Sequence, residues 1–198
     1  MQNWEKTEDK RYSWLYANSY GPAPKRRVDK GMPGVLHWAG LKRDSKVVDA
    51  GCGWGLVNEI CKDYVGCDVS KYVIDHNNND KNLTGRFIHC SMTEMPKILG
   101  NERFDYLVSM DVMEHVWPDK VMQTLDALSR INADKFVFAI STRQSYFVDK
   151  DGNHLHMTIA DINVWRKLLE ICFIVEKSHK EQVLQRADFV CVSKNRHL

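Results

Sequence analysis

The chain lacks an excess of charge of either sign: 28 Lys and Arg stand against 26 Asp and Glu in 198 residues, a formal net charge of +2. That balance excludes a broadly basic coat of the kind that grips nucleic acid through its phosphates. The basic residues that do cluster, Lys25, Arg26, Arg27 and Lys30, then Lys42 and Arg43, read as solvated surface. No Cys-x-x-Cys pair and no zinc spacing occurs among Cys52, Cys61, Cys67, Cys90, Cys172 and Cys191. Several of them lie in apolar runs, where a free thiol behaves as a small hydrophobe, so a reducing compartment is expected. The first residues, Met1 to Lys6, hold no apolar signal core, and no window approaches a membrane span. A soluble cytoplasmic protein with no membrane partner is therefore expected. Internal repeats and low-complexity linkers are absent too, and the length suits a central sheet covered on both faces.

What is present is concentrated in one stretch, Val47-Val48-Asp49-Ala50-Gly51-Cys52-Gly53-Trp54-Gly55. The apolar start reads as a buried parallel strand. The alternating glycines let the backbone turn sharply, with no side chain between it and a docked ligand. An acid beside such a turn suits a positively charged or hydroxyl-bearing partner and suits a diphosphate poorly. A dinucleotide fingerprint needs a small residue where Leu56 stands, and no Gly-Lys-Ser/Thr closes the turn as in a P-loop.

Beyond the turn, Leu56, Val57, Ile60 and Cys61 are spaced for the buried face of a helix. Strands are predicted over residues 64–68, 86–90, 104–110, 136–140, 172–175 and 189–192. A helix carrying Val73 and Ile74 precedes Asn77, Asn78 and Asn79, which mark its end or a loop. Pro118 opens another helix with Val121, Met122, Leu125 and Leu128 at helical spacing. Thr158-x-x-Asp161 reads as a helix start, followed by a buried stripe of Ile159, Ile162, Trp165, Leu168 and Leu169. Strands alternating with helices imply an α/β fold with a doubly wound, mostly parallel sheet, and the last two strands, with no helix between them, pair antiparallel.

The spacing Asp49-x-Gly51-x-Gly53-x-Gly55 resembles motif I of the class I S-adenosylmethionine-dependent methyltransferases, and the order of elements from about residue 35 to 195 resembles their seven-stranded, Rossmann-like fold. The resemblance implies an N-terminal lid or cap over residues 1–45 and a donor-binding domain over 46–198. In open sheets of this kind the ligand sits at the carboxyl ends of the strands, beside the point where strand order reverses. The implied S-adenosylmethionine site comprises Asp49, Gly51, Cys52, Gly53, Asp68, Val69, Ser91, Met92 and Met110, with S-adenosylhomocysteine as the product. Asp68 closes the second strand, where a carboxylate can accept hydrogen bonds from both ribose hydroxyls. Ser91 departs from the family, which commonly has an acid there to reach the adenine amino group. Met92 could pack on the adenine ring.

The acceptor side is thinner. If the acceptor is a hydroxyl or amine, a base helps to remove its proton, and His115, His154 and His156 are the candidates. Asp111, Glu114 and His115 resemble the acid-x-x-Glu-His run with which some methyltransferases, among them ubiquinone-type O-methyltransferases and small-RNA 2′-O-methyltransferases, hold a divalent metal. Here Asp111 replaces the more usual Glu. No Asn/Asp-Pro-Pro-aromatic run follows the fourth strand, as in enzymes that methylate exocyclic base amines. No Pro-Cys pair offers a cytosine-C5 nucleophile either. The N-terminal aromatics Trp4, Tyr12, Trp14, Tyr16, Tyr20 and Trp38, interleaved with basic residues, could stack on a base or sugar; alternatively Trp14 and Leu15 pack a helix onto the sheet. Tyr20-Gly21-Pro22 marks a turn, predicting two short elements in place of one long helix.

The expected activity is methyl transfer to an oxygen or nitrogen of a small molecule, sugar or nucleotide. An RNA- or DNA-modifying enzyme, for example at ribose 2′-O, and a non-catalytic S-adenosylmethionine-binding subunit are the alternatives. Oligomeric state is not legible in the sequence.

Overall fold

A computed structural model describes residues 1–19 and 32–197. The expected turn at Tyr20-Gly21-Pro22 and the cluster of Lys25, Arg26, Arg27 and Lys30 lie outside the described residues. The chain opens with α1 (Asn3–Asn18) and α2 (Met32–Trp38). It then alternates β1 (Val47–Ala50), β2 (Tyr64–Asp68), α3 (Lys71–Asn79), β3 (Arg86–His89), α4 (Met95–Leu99), β4 (Phe104–Met110), α5 (Val121–Ser129), β5 (Ala133–Ser141) and α6 (Ile162–Cys172), and ends in β6 (Phe173–Glu181) and β7 (Arg186–Ser193). The seven strands form one sheet in the order β3-β2-β1-β4-β5-β7-β6. β1 to β5 run parallel, and β7 pairs antiparallel with both β5 and β6.

The two-residue period of a strand sends alternate side chains to opposite faces, and both faces are covered. On β5, Phe136, Phe138 and Ile140 join one apolar cluster while Val137 and Ala139 join the other. β1 divides in the same way, Val48 and Ala50 against Val47. Leu125 and Leu128 of α5 and Trp165 and Leu169 of α6 cover the first face; Val35 and Leu36 of α2 and Val73 and Ile74 of α3 cover the second. Phe173 packs its ring on Phe136 and Phe138 at centroid distances of 5.0 and 5.4 Å. Burying each such ring stabilises the fold by about 1.5–3 kcal/mol.

Three local expectations need correction. Leu56, Val57 and Cys61 are buried and Ile60 packs against them, but they form no α-helix: only a 3₁₀ turn spans Leu56–Glu59. Residues 51–63 must return the chain to the start of β2, close to the shortest possible parallel crossover. Fully buried Asn58 ties that crossover down, donating to Cys61 O at 3.2 Å and accepting from Thr84 N at 2.9 Å. At the second helix start the cap is Asp161 and not Thr158; Asp161 Oδ1 accepts from Asn163 N and Val164 N at 2.7 and 3.0 Å. Thr158 Oγ1 instead donates to Val116 O at 2.7 Å, and Ile159, ahead of the helix, is exposed rather than part of its buried stripe. Pro118 opens a 3₁₀ turn, Pro118–Lys120, that runs into α5. The N-terminal segment carries two helices, α1 and α2, on either side of the undescribed residues 20–31, with Leu15 of α1 buried and Trp14 exposed. α4 has no counterpart among the predicted elements.

Among the described residues, no helix is long and apolar enough to cross a membrane.

Candidate functional site

β1 and β4 are neighbours in the sheet although far apart in sequence, so strand order reverses between them. A cavity opens at their carboxyl ends, as expected at such a reversal. Asp49, Gly51, Cys52, Gly53, Asp68, Val69, Ser91, Met92 and Met110 all line it. These residues come from the ends of four strands, and the topology alone brings them together.

The glycine turn is held from below by Gly51 N and Cys52 N, which donate to Cys67 O at 2.8 and 3.0 Å. Gly51 has φ +83°, and a Cβ there would stand 2.6 Å from both methyl carbons of Val112, in the turn after β4. Gly53 has φ +48°, and a Cβ there would meet the Tyr16 hydroxyl at 2.8 Å. The motif is glycine-rich because two other segments close directly upon its backbone.

Asp68 is 6% exposed, and its oxygens accept from Gly53 N at 2.9 Å and Ser70 N at 2.8 Å. A carboxylate has about four acceptor positions, so one on each oxygen is left for a ligand hydroxyl. Burial pushes its pKa up to about 6 against the opposing pull of those two amides. Asp49 is 2% exposed and accepts from Tyr64 Oη at 2.8 Å. Burial raises it to about 7, the Tyr64 hydrogen bond opposes the rise, and the charge of Asp68 adds to it. Two buried carboxyls near neutrality make a strong site for a cation. The Cys52 thiol is pushed well up by burial and by Asp68 and Asp49, so it acts as wall and not as nucleophile.

Ser91 stands in a carboxylate network. Its Oγ donates to Glu5 Oε1 at 2.7 Å, Thr93 Oγ1 donates to the same oxygen, and Glu5 is fully buried.

α1 lies across the cavity mouth, and its buried residues are Glu5, Glu8 and Leu15, a face more polar than apolar. Asp9 Oδ1 accepts from Lys71 N at 3.0 Å, and Ser13 Oγ meets Ser70 Oγ at 3.1 Å. Glu8 Oε1 accepts from Trp117 Nε1 at 2.9 Å, and Arg11 Nε pairs with Asp149 at 3.0 Å. Trp4, Glu8, Tyr12 and Tyr16 line the cavity.

Of the candidate bases, only His115 lines the cavity. Its Nδ1 is 2.8 Å from Tyr12 Oη, and its ring meets that of His156 edge-on at 4.9 Å. His156 Nδ1 lies 2.6 Å from Arg143 O. A carbonyl only accepts, so the proton sits on Nδ1 and Nε2 is bare in the neutral ring. Burial lowers the His156 pKa, which favours that neutral form. His154 is exposed, with Nδ1 3.0 Å from Ser145 O, and is not brought to the cavity. Of the expected metal ligands, Glu114 and His115 offer atoms that lie, with one from His156, within 4.8 Å of one another. Asp111 lines the cavity beside them at φ +55°, a left-handed conformation that aspartate tolerates better than most residues. Both histidine Nδ1 contacts fix ring orientation as metal-ligand and base histidines require.

Sequence reasoning missed Glu5, Glu8, Val112, Trp117 and Thr124. Glu5, Glu8, Tyr12 and Leu15 do stand at helical spacing, but two acids on that face disguise it as solvent-facing.

Residues 47–134 match the model of a protein family described as a methyltransferase domain. No curated protein matches the chain in sequence. Among solved structures, the PH0226 protein of Pyrococcus horikoshii is similar with TM-score 0.70 and 16% identity over 91% of this chain and 95% of that one. Magnesium protoporphyrin IX methyltransferase of Synechocystis, with bound S-adenosylhomocysteine, gives 0.64 and 17% over 96% and 100%. The 1,6-didemethyltoxoflavin-N1-methyltransferase of Burkholderia thailandensis, with its substrate and S-adenosylhomocysteine bound, gives 0.64 and 14% over 96% and 87%. At these identities the likeness is one of fold. Residues 47–134 thus match a methyltransferase domain, and the chain shares its fold with methyltransferases solved with S-adenosylhomocysteine bound.

Proposed function

We propose that the chain transfers the methyl group of S-adenosylmethionine to an oxygen or nitrogen of a small-molecule acceptor. The observation that carries this reading is the convergence of Asp49, the glycine turn, Asp68, Ser91, Met92 and Met110 on one cavity at the strand-order reversal. When bound, the donor supplies a methyl group already activated on a sulfonium. Asp68 holds the ribose hydroxyls, and Asp49 attracts the cationic end. Methyl transfer is an in-line displacement, so what is asked of the chain is orientation and exclusion of water. α1 acts as the lid, and residues 1–45 and 46–198 divide into cap and donor-binding domain. His115 takes the acceptor proton at Nε2 while its Nδ1 proton is donated to Tyr12 Oη.

The cavity wall also bears on the acceptor. Glu8, Asp49, Asp68 and Asp111 line it, with Trp4, Tyr12, Tyr16, Trp54 and Trp117, and no lysine or arginine does among the described residues. Acids and aromatic faces suit a neutral or cationic planar acceptor and repel a phosphate. That supports a small molecule over a nucleic acid. Calorimetric titration with S-adenosylhomocysteine tests the donor half: one-to-one binding is expected, and no binding at millimolar ligand would refute it.

A second reading is favoured by the convergence of Glu114, His115 and His156: a divalent metal that lowers the pKa of an acceptor hydroxyl. Two imidazoles and one carboxylate suit manganese, iron or zinc better than magnesium. If chelated, metal-free protein keeps full activity, this reading is wrong.

A further inference from the structure

Thr124, on the inner face of α5, is 1% exposed and lines the cavity, yet its Oγ1 has no hydrogen-bond partner. A buried hydroxyl without a partner is costly, and a helical threonine ordinarily relieves the cost by bonding a carbonyl one turn back. Thr124 does neither. Ser109, Ser141 and Trp165 also hold unpartnered buried atoms, but none of them lines the cavity. Thr124 is thus the cavity-wall hydroxyl that waits for a ligand.

Its place in the fold identifies which part of the ligand. The ribose sits at Asp68, on the end of β2, so the adenine extends toward the end of β3, where Cys90, Ser91 and Met92 form the wall. α5 packs at that end: Gln123 and Ala127 border a surface depression together with Thr93 and Glu5. Met92 packs against the same apolar cluster as Val121 and Leu125, which flank Thr124 on the helix. Ser91, the residue expected to meet the adenine amino group, has its hydroxyl proton committed to Glu5. Thr124 has no such commitment, and rotation about χ1 exchanges its hydroxyl with its methyl group.

We propose that Thr124 reads the adenine edge of the methyl donor, its Oγ1 accepting a hydrogen bond from the 6-amino group. This rests on the donor-binding reading above and adds a contact from a helix where that reading drew on strand ends and the cap.

The test is Thr124→Val, which keeps the shape and removes the hydroxyl. Unliganded Thr124→Val should melt higher than the wild type by about 2–4 °C, because an unpaired buried hydroxyl is gone. Its affinity for S-adenosylhomocysteine should nevertheless fall at least about fivefold. A residue with a merely structural role would move both readouts in the same direction. The wild type should also bind adenosine more tightly than purine riboside, which lacks the amino group, and the variant should lose that preference. Unchanged S-adenosylhomocysteine affinity, or a preference that survives in the variant, would overturn the assignment. If instead the wild type binds no S-adenosylhomocysteine, the donor-binding reading itself has failed.

Discussion

Replacing Asp68 by alanine should cripple donor binding, and the structure sets the size of the effect. Each oxygen of Asp68 already serves one backbone amide, Gly53 N at 2.9 Å and Ser70 N at 2.8 Å, leaving an acceptor position apiece for the two ribose hydroxyls. Hydrogen bonds to a charged group contribute about 1.5–3 kcal/mol each. Two of them amount to about 3–6 kcal/mol, a loss of affinity between about a hundredfold and ten-thousandfold. Asp68→Ala also leaves two amides unpaired and loosens the glycine turn, which costs stability in the free protein as well. Titration calorimetry with S-adenosylhomocysteine and with its 2′,3′-dideoxy analogue separates the two contributions, because turn loosening weakens both ligands while the direct contacts are lost only for the parent. The dideoxy analogue should bind Asp68→Ala nearly as well as S-adenosylhomocysteine does. Affinity for S-adenosylhomocysteine within about fivefold of wild type would refute the reasoning.

Other consequences follow from the same geometry. Burial raises the pKa of Asp49 to about 7 in the fold from its ordinary value of 3.8, so the native state binds more protons than the unfolded chain between those values. Its contribution, about 4 kcal/mol, is complete at acidic pH and is lost as pH rises from about 4 to 7; the melting temperature of the free protein compared with Asp49→Asn across that range reads it, and a parallel pair of curves would contradict it. A bound cation favours the ionised carboxyl, so donor binding near pH 6 should release a proton, visible as a dependence of the calorimetric enthalpy on buffer ionisation. Gly51→Ala forces a side chain into a left-handed conformation and against Val112; a loss of about 2 kcal/mol or more is expected, read as a fall of about 4–8 °C in the melting temperature. Asn58→Ala removes both hydrogen bonds that tie the β1–β2 crossover. It should cost about 2–4 kcal/mol, seen as a lower urea midpoint at an unchanged slope.

How much of this was legible in the sequence depended on the range of the interaction responsible. The succession of strands was legible because each rests on a local signal, an apolar run ending in an acid or a glycine turn, whereas their order in the sheet and the gathering of the candidate site residues were implied only by the resemblance to a known fold. Leu56, Val57, Ile60 and Cys61 showed a helical period that the chain could not realise, since the crossover is too short and Asn58 holds it in place from Thr84. Thr158 and Asp161 compete for one cap, and a carbonyl across the site at Val116 decides between them. His115, His154 and His156 all stood as candidates, because no local signal says which of them meet. Contacts with Tyr12 and the Arg143 carbonyl bring His115 and His156 together and leave His154 outside. Glu5 and Glu8 escaped notice because an acid on a helix is ordinarily solvent-facing; here both are buried against the ends of other elements.

The most direct test of the account is transfer itself. Purified protein, incubated with donor labelled on its methyl group and with fractionated small molecules from cell extract, should form S-adenosylhomocysteine and a labelled product in equal amounts. Asp68→Ala should form neither at the same donor concentration. Tight donor binding with no label transferred to any fraction would contradict the claim that this cavity is a methyltransferase active site.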